Sequence, residues 1–217
     1  QIGKAIRYVA STSSTQLLAH EWADEGAEHG ALVIANEQTG GKGRLGRMWH
    51  SPPGSGIWMS FVLRPKIPLV RAPHLTLLLS VAVTRALKKV ADADIGIKWP
   101  NDLFTDGRKV CGVLTEVRAE ADRIHYCVAG IGINVHKTRE NPLPQQLQTV
   151  AVSLSEVSKR CLHRAELVAS CCEEIEQLFQ LYEKQGFSPV KTLWETHACM
   201  LHQRVTVHSE SGIKSGV

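Results

Sequence analysis

Apolar residues recur with a helical period over long stretches of the chain and with a strand period over several shorter ones. Between residues 75 and 90 they fall at intervals of three and four, which predicts an amphipathic helix with one buried face. Further helices are predicted over residues 164–184, over residues 188–198, and from a cap at Ser13 or Ser14 to about Gly26.

Strand-like runs fill most of the remaining chain. In residues 57–63 the apolar side chains alternate with their neighbours, as in a strand with one buried face. The other predicted strands cover residues 31–35, 95–99, 110–117, 124–129 and 204–208. The strands over residues 110–117 and 124–129 are predicted to form a hairpin that turns at residues 120–123, and residues 141–148 are predicted as a loop. Tight turns between consecutive strands indicate an α+β fold with a mostly antiparallel sheet and helices on one face.

Composition describes an ordinary globular protein and excludes several classes. The formal net charge of +4 permits acidic ligands without indicating nucleic acid. The six cysteines include no C-x-x-C pair, so we expect reduced, mostly buried thiols and a cytoplasmic location. Cys161 and His163 do not make a zinc site, because no second ligand pair follows them. The sequence contains neither a signal peptide nor an apolar run of about 18 residues.

A basic glycine-rich segment, GGKGRLGR at residues 40–47, is the most informative feature of the sequence; we call it the glycine loop. Glycines allow close backbone approach to a ligand, and the three cations suit phosphate or carboxylate. The segment also matches the G-x-G-x-x-G dinucleotide fingerprint, which requires a following helix and an acidic residue roughly 20 positions later. Here Pro52 and Pro53 follow and Lys66 stands near the acidic position, so the dinucleotide interpretation fails.

Four other segments carry polar groups at strand ends or at a helix start. They are Ser14–Gln16, Lys98–Asp102, Lys109–Glu116 and Gly130–Asn134. Each has a simpler explanation when it is considered alone. Ser14 can be a helix cap, Lys98 a solvated strand end, Lys109 a turn residue, and Gly130 with Gly132 a β-bulge. Trp49 and Trp99 can be core aromatics, and only the joint occurrence and order of the segments indicate a shared site.

Together these segments resemble the biotin protein ligases over nearly the whole chain. The matching stretches are Ser14–Gln16, residues 38–49, Lys98–Asp102, residues 109–114 and Gly130–Asn134. The resemblance implies a class II aminoacyl-tRNA-synthetase-like catalytic domain over residues 1–198. It also implies that residues 199–217 begin a small, apparently truncated SH3-like β-unit. Lys42 departs from the family pattern, where arginine is common, and this keeps the charge but loses bidentate geometry.

The resemblance also implies a two-step reaction. Biotin and Mg-ATP give biotinyl-5′-AMP and pyrophosphate, and a specific lysine of a biotin carboxyl carrier domain, as in acetyl-CoA carboxylase, then takes the biotinyl group. The first step needs positioning and charge stabilisation rather than a general base, because the biotin carboxylate is already ionised. No protein ligands for Mg²⁺ are predicted, since the ion would arrive on the ATP phosphates.

Site residues follow from the resemblance position by position. The implied catalytic residues are Lys109, Arg44, Lys42 and Asp102, with Asp102 steering the incoming amine or Mg²⁺. The implied biotin-binding residues are Ser14, Thr15, Gln16, Gln38, Gly41, Lys42, Gly43, Arg44, Lys109, Gly112 and Gly130. The implied nucleotide-binding residues are Arg44, Arg47, Trp49, Asn101, Lys109 and Asn134. Gly112 and the glycines at 130 and 132 would let the valeryl chain lie against the backbone, and Trp49 would pack near the adenine.

Two alternatives stay open from the sequence. Lipoate–protein ligases share the fold and the acyl-adenylate chemistry. The other alternative is a non-catalytic binder, either a biotin or adenylate sensor or a repressor fragment that uses the basic glycine loop on nucleic acid. The family often forms homodimers through a sheet edge, for which residues 124–135 are the expected surface. Bacterial members often carry an N-terminal winged helix, so we expect contact with DNA only through a domain outside this chain, and no contact with membranes.

Overall fold

The computed structural model describes residues 1–137, 142–209 and 212–217. The strands are β1 (Ile6–Thr12), β2 (Ala31–Gln38), β3 (Gly56–Leu63), β4 (Gly96–Lys98), β5 (Asp102–Thr105), β6 (Arg108–Glu120), β7 (Arg123–Asn134), β8 (Val205–Ser209) and β9 (Gly212–Gly216). The helices are α1 (Thr15–Asp24), α2 (Pro73–Ala91), α3 (Leu154–Val157), α4 (Arg164–Gln185) and α5 (Phe187–His197).

Seven strands form one sheet in the order β1-β2-β3-β7-β6-β5-β4. Among the strands described, only β1 and β2 run parallel, and every other neighbouring pair is antiparallel. The predicted hairpin is confirmed, because Glu120 pairs with Arg123 at the end of β6 and β7. The mixed, mostly antiparallel α+β fold is therefore the predicted one.

Both faces of the sheet are covered by helices. The larger core lies between one face and helices α2, α4 and α5, and the apolar stripe of α2 is buried in it. On the other face α1 packs on Val33, Val62 and Val128, which form a smaller core. The expectation of helices on one face thus holds for the three longest helices and is wrong for α1. This placement buries β3 on both sides, where the sequence indicated one buried face.

Strand β7 lies in the interior of the sheet. From Cys127 to Ile133 it pairs with both β3 and β6. The expectation that residues 124–135 offer a free sheet edge for a homodimer is therefore wrong over that stretch, because residues 127–133 already have a strand partner on both sides. The edges of the described sheet are β1 and β4.

Three strands were not predicted from the sequence. Strand β1 is largely exposed and shows no apolar stripe; its pairing with β2 holds it in place. Strand β5 makes a short hairpin with β4, so the Lys98–Asp102 segment is the turn of that hairpin. Strand β9 is fully exposed and pairs with β8 in a separate two-stranded sheet. The division at residue 198 stays a prediction.

The described residues contain neither a disulfide bond nor a helix able to span a membrane. The six cysteines are free thiols; Cys111, Cys127 and Cys171 are buried. No helix in the described ranges is long and apolar enough to cross a membrane.

Candidate active site

The predicted segments meet around one cavity of about 370 Å³ on the sheet. Its lining combines the glycine loop, the first turn of α1, the middle of β6 and β7, and apolar residues between 143 and 151. All the residues that the resemblance implied, except Gly41, line it: Ser14, Thr15, Gln16, Gln38, Lys42, Gly43, Arg44, Arg47, Trp49, Asn101, Asp102, Lys109, Gly112, Gly130 and Asn134. The structure thus brings the predicted set together, while their roles stay predictions.

Gly41 belongs to the glycine loop but does not line the cavity. A Cβ atom at this position would come within 2.5 Å of the Trp49 carbonyl oxygen and 2.8 Å of Ser51 Oγ. The Gly41 carbonyl accepts a hydrogen bond from the Trp49 N–H at 2.9 Å, and Lys42 forms an isolated bridge with Met48. Gly41 therefore lets the glycine loop fold back on itself, and this requires no direct contact with a ligand.

The floor of the cavity is a chain of hydrogen bonds between neutral side chains. Ser14 caps α1, as its hydroxyl accepts from the Gln16 N–H at 3.2 Å. Gln38 Oε1 accepts from both the N–H and the hydroxyl of Thr15, at 2.8 and 3.0 Å. Gln16 Nε2 donates to the Val128 carbonyl at 3.2 Å. Ser14 therefore caps α1 and lines the cavity at the same time, so its role as a helix cap does not exclude a role in the site.

Ser60 completes this floor and was not predicted as a site residue. Its hydroxyl donates to Gln16 Oε1 at 3.2 Å and lies 2.8 Å from Thr15 Oγ1. Thr15 also donates to Gln38, so two hydroxyl protons serve three contacts and one contact lacks a proton in any arrangement. A ligand N–H or C=O can enter this set without leaving a buried group unpaired. The sequence signal was a single hydroxyl within the apolar run of β3.

Trp49 lies across two glycines of the central strands. Gly112 and Gly132 are directly opposite each other on β6 and β7. A Cβ atom would come within 3.0 Å of the indole at Gly112 and within 2.5 Å at Gly132. The Trp49 indole makes a close approach that requires glycine at both positions. Gly130 instead lies under Gln16, whose Oε1 would be 2.4 Å from an added Cβ atom.

Lys109 lies between an acidic and an aromatic partner. Its Nζ atom is 2.6 Å from Asp102 Oδ1 and 4.9 Å from the centre of a Trp49 ring. The Lys109 and Asp102 side chains are 28% and 29% exposed, so the pair faces the cavity without being sealed from it. A fixed ammonium group of this kind can stabilise charge on an incoming carboxylate or phosphate.

Apolar residues after β7 close the far side of the cavity, and two of them, Leu143 and Leu147, lie in the predicted loop over residues 141–148. Leu143, Leu147 and Val150 line the cavity. The Lys109 N–H donates to the Val150 carbonyl at 2.8 Å, which fixes this segment beside β6. Asn141, also in the predicted loop, lies outside the described residues. The sequence signal available was the four-residue spacing of Leu143 and Leu147. It could not show that this segment lies beside β6, which is distant in the chain.

The histidine and cysteine side chains in and near this cavity are uncharged at neutral pH. Burial lowers the pKa of His50, a lining residue, so its ring stays neutral at neutral pH. Burial raises the pKa of the Cys111 thiol well above its usual range, which keeps this core cysteine protonated. The described ranges contain no group of three or more His, Cys, Asp or Glu side chains able to hold a metal ion.

Comparison with known proteins identifies the family. The profile of the biotin/lipoate A/B protein ligase family matches residues 8–134, more than half of the chain. This chain belongs to that family. The matched range includes all the cavity residues on β1 to β7, and so covers the hydrogen-bonded floor, the glycine loop and the Lys109–Asp102 pair.

Within this family, the chain is similar to individual biotin ligases. The chain is 43% identical to the bifunctional ligase/repressor BirA of Bacillus subtilis over 197 residues, 91% of this chain and 60% of that protein. It is 27% identical to the biotin–[acetyl-CoA-carboxylase] ligase of Paracoccus denitrificans over 96% of this chain and 87% of that one. The chain thus spans about three fifths of the length of the Bacillus relative.

A solved structure supports the same fold. The biotin protein ligase of Aquifex aeolicus in complex with biotin and ATP superposes with a TM-score of 0.81 at 28% identity. The superposition covers 98% of this chain and 95% of that one. A member of the family that holds both ligands therefore shares the architecture that surrounds the cavity here.

Proposed function

We propose that this chain is the catalytic part of a biotin–protein ligase. It joins biotin to ATP as biotinyl-5′-AMP and transfers the biotinyl group to a lysine of a biotin carboxyl carrier domain. The observation that carries the proposal is the division of one cavity into a neutral hydrogen-bonding floor and a cationic rim. A uniformly apolar or uniformly charged cavity would not suit a ligand with an uncharged polar ring at one end and a carboxylate at the other.

The floor suits a cyclic urea. A ureido ring offers two N–H donors and one carbonyl acceptor, and Thr15, Gln16, Gln38 and Ser60 provide both acceptors and donors in fixed positions. Pre-formed partners cost little to reorganise, so binding retains most of its hydrogen-bond energy. Lipoate has a dithiolane in place of the ureido ring and offers these groups neither an N–H nor a carbonyl, which favours biotin.

The rim suits the activation step. A carboxylate oxygen of biotin attacks the α-phosphorus of ATP, and the bond from that phosphorus to the bridging oxygen of pyrophosphate breaks. Lys109 lies where it can offset charge on the reacting carboxylate or α-phosphate, and Lys42 and Arg44 extend over the same mouth from the glycine loop. Asp102 holds the Lys109 ammonium in position, which modifies the role first inferred for it.

The second step transfers the acyl group. The amine of the acceptor lysine attacks the biotinyl carbonyl carbon, the bond from that carbon to the AMP oxygen breaks, and the nitrogen loses a proton. Mg²⁺ would neutralise charge on the ATP phosphates, which would also be its main ligands, because the described residues offer no carboxylate cluster for it. A homodimer and a repressor activity like that named for the Bacillus relative remain further proposals.

Biotin-dependent exchange of pyrophosphate into ATP tests the proposal, with lipoate as the parallel substrate. Exchange with biotin alone is the expected result. Exchange with lipoate would instead support the lipoate ligase alternative. Tight biotin binding without exchange would contradict a catalytic role and support a ligand-sensing fragment.

A further inference from the structure

Asn101 uses both ends of its amide to join the glycine loop to the sheet. Its Oδ1 accepts a hydrogen bond from Arg44 Nη1 at 3.1 Å, and its Nδ2 donates to the Val113 carbonyl at 2.7 Å. The side chain is 7% exposed. Both polar ends are thus engaged with protein groups, where the sequence indicated a nucleotide contact.

The amide of Asn101 is held more firmly than its partner in the loop. The Val113 N–H also donates to the Asn101 carbonyl at 2.9 Å, so residue 101 is fixed to β6 through its backbone and its side chain. Arg44 by contrast is exposed and precedes Leu45 and Gly46, which both have positive φ angles. Ordering a free arginine side chain costs conformational entropy. Asn101 meets part of that cost before a ligand binds.

A neutral acceptor suits this task better than a carboxylate. Asp102 is adjacent in sequence, yet it pairs with Lys109 and not with Arg44. An ion pair with Asp102 would neutralise the guanidinium group, whereas an amide oxygen orients it and leaves its full charge available to an anion. The arrangement therefore gives each of the two cations a separate partner.

Four residues line two neighbouring cavities, namely Arg44, Pro100, Val113 and Leu114, and Arg44 is the exposed one among them. Besides the 370 Å³ cavity it lines a groove of about 430 Å³ beside the start of α2. We call this the Trp99 groove; Pro73, Thr76, Trp99, Pro100 and Val117 line it together with Arg44. Trp99 is 58% exposed, so the groove opens to solvent. Displacement of Arg44 would open the reaction cavity on that side.

We propose that Asn101 is a positioning residue that holds Arg44 as the wall between the reaction cavity and the Trp99 groove, and thereby retains the acyl-adenylate. The inference rests on the proposed function and deepens it. Asn101 acts through Arg44, so loss of either residue has the same consequence. Asn101→Ala should release biotinyl-AMP about tenfold faster, the size expected for one hydrogen bond to a charged group.

The experiment follows release of radiolabelled biotinyl-AMP from the parent chain, Asn101→Ala, Arg44→Ala and the double variant. We expect each single variant to release it about tenfold faster, and the double variant no faster than either. Effects that multiply in the double variant, or parent-like release from Asn101→Ala, would overturn the inference. A parent chain that makes no biotinyl-AMP would instead refute the proposed function.

A matched control separates positioning from stability. Asn36 Oδ1 accepts from Arg164 Nη1 at the same distance, 3.1 Å, and does not line the cavity. Asn36→Ala should lower the thermal unfolding midpoint without changing adenylate release. Equal acceleration in Asn36→Ala and Asn101→Ala would show general loosening and overturn the inference.

A second variant covers the case in which Asn101→Ala does not fold. Asn101→Asp keeps the volume and an acceptor for Arg44, but its carboxylate offsets the guanidinium charge and cannot donate to the Val113 carbonyl, so release should be faster than from the parent chain. Arg44→Met removes the partner and leaves residue 101 untouched, and in that background Asn101→Asp should have no effect. Release from Asn101→Asp no faster than from the parent chain would contradict the positioning role.

Discussion

Lys109 and Asp102 form an ion pair across the β5–β6 hairpin, with Nζ 2.6 Å from Oδ1, beneath the glycine loop that supplies Lys42 and Arg44. The pair fixes one ammonium group at the point where the neutral floor of the cavity meets its cationic rim. Positioned charge of this kind acts on the reacting groups and less on ground-state binding.

Replacement of Lys109 should therefore slow formation of biotinyl-AMP and have little effect on biotin binding. We expect Lys109→Ala to lower biotin-dependent ATP–pyrophosphate exchange by about 100-fold or more, and biotin affinity by less than about tenfold. Isotope exchange and calorimetric titration measure the two quantities. Lys98→Ala is the control, because Lys98 lies over the Phe104 ring and outside the cavity. Normal exchange in Lys109→Ala would remove this residue from the mechanism.

Removal of the Thr15 hydroxyl should raise the KM for biotin and leave kcat nearly unchanged. Thr15→Val keeps the shape and deletes one of the two hydroxyl protons shared in the floor, whose proposed contact with the ureido ring takes no part in the bond changes. We expect KM to rise about tenfold, the effect of one lost hydrogen bond to a buried partner. Steady-state exchange kinetics measure it. Thr84→Val is the control, because it removes a buried hydroxyl within α2 and should leave the KM for biotin unchanged. A rise in KM in both variants would indicate misfolding and not a lost ligand contact.

A methyl group at Gly132 should displace the Trp49 indole. The added Cβ atom would lie 2.5 Å from two ring atoms, so Gly132→Ala should destabilise the fold by about 1–3 kcal/mol and weaken ligand binding. Urea denaturation measures the first effect. Trp49→Ala in the same chain should restore part of the lost stability. Gly216→Ala, with no atom near its added Cβ, is the control. Unchanged stability in Gly132→Ala would contradict the observed Trp49 contact.

Acidification should destabilise the fold through His29. Its Nδ1 accepts the Arg64 N–H at 3.0 Å, and burial lowers its pKa below the ordinary value of about 6.5. The unfolded chain therefore takes up the proton first as the pH falls, so the free energy of unfolding decreases below about pH 6.5. Urea unfolding from pH 7 to 5 measures this slope. His29→Asn keeps an acceptor that does not titrate and should flatten the curve; an unchanged slope would exclude His29 as the cause.

Elements stabilised by neighbours in the chain were the predictable ones. The stripe of α2, the cap of α1 at Ser14 and the β6–β7 hairpin all depend on local spacing, and each is present. Strand β1 was missed because its side chains are mostly exposed and its stability comes from pairing with β2. The interior position of β7 was mistaken for an edge, since strand order depends on pairings between distant segments.

The candidate site divides in the same way. Glycine, lysine and amide motifs in their order indicated the chemistry, because short segments next to strands carry the groups that touch a ligand. Ser60 and Leu147 could not be placed with them, because their contacts are made by residues far away in the chain. Asn101 was assigned to the nucleotide on motif order, and its contacts with Arg44 and Val113 became visible only in the folded chain.

The sequence by itself determined the fold class and the two long helices, since periodicity is a local property of the chain, and through the family resemblance it determined most of the residues that line the cavity. Tertiary structure alone decided which groups pair within that set. Lys109 lies with Asp102, Arg44 with Asn101, and Trp49 with Gly112 and Gly132. Those pairings depend on distances of a few ångströms between separate strands and loops, and only the packing of the whole sheet sets such distances.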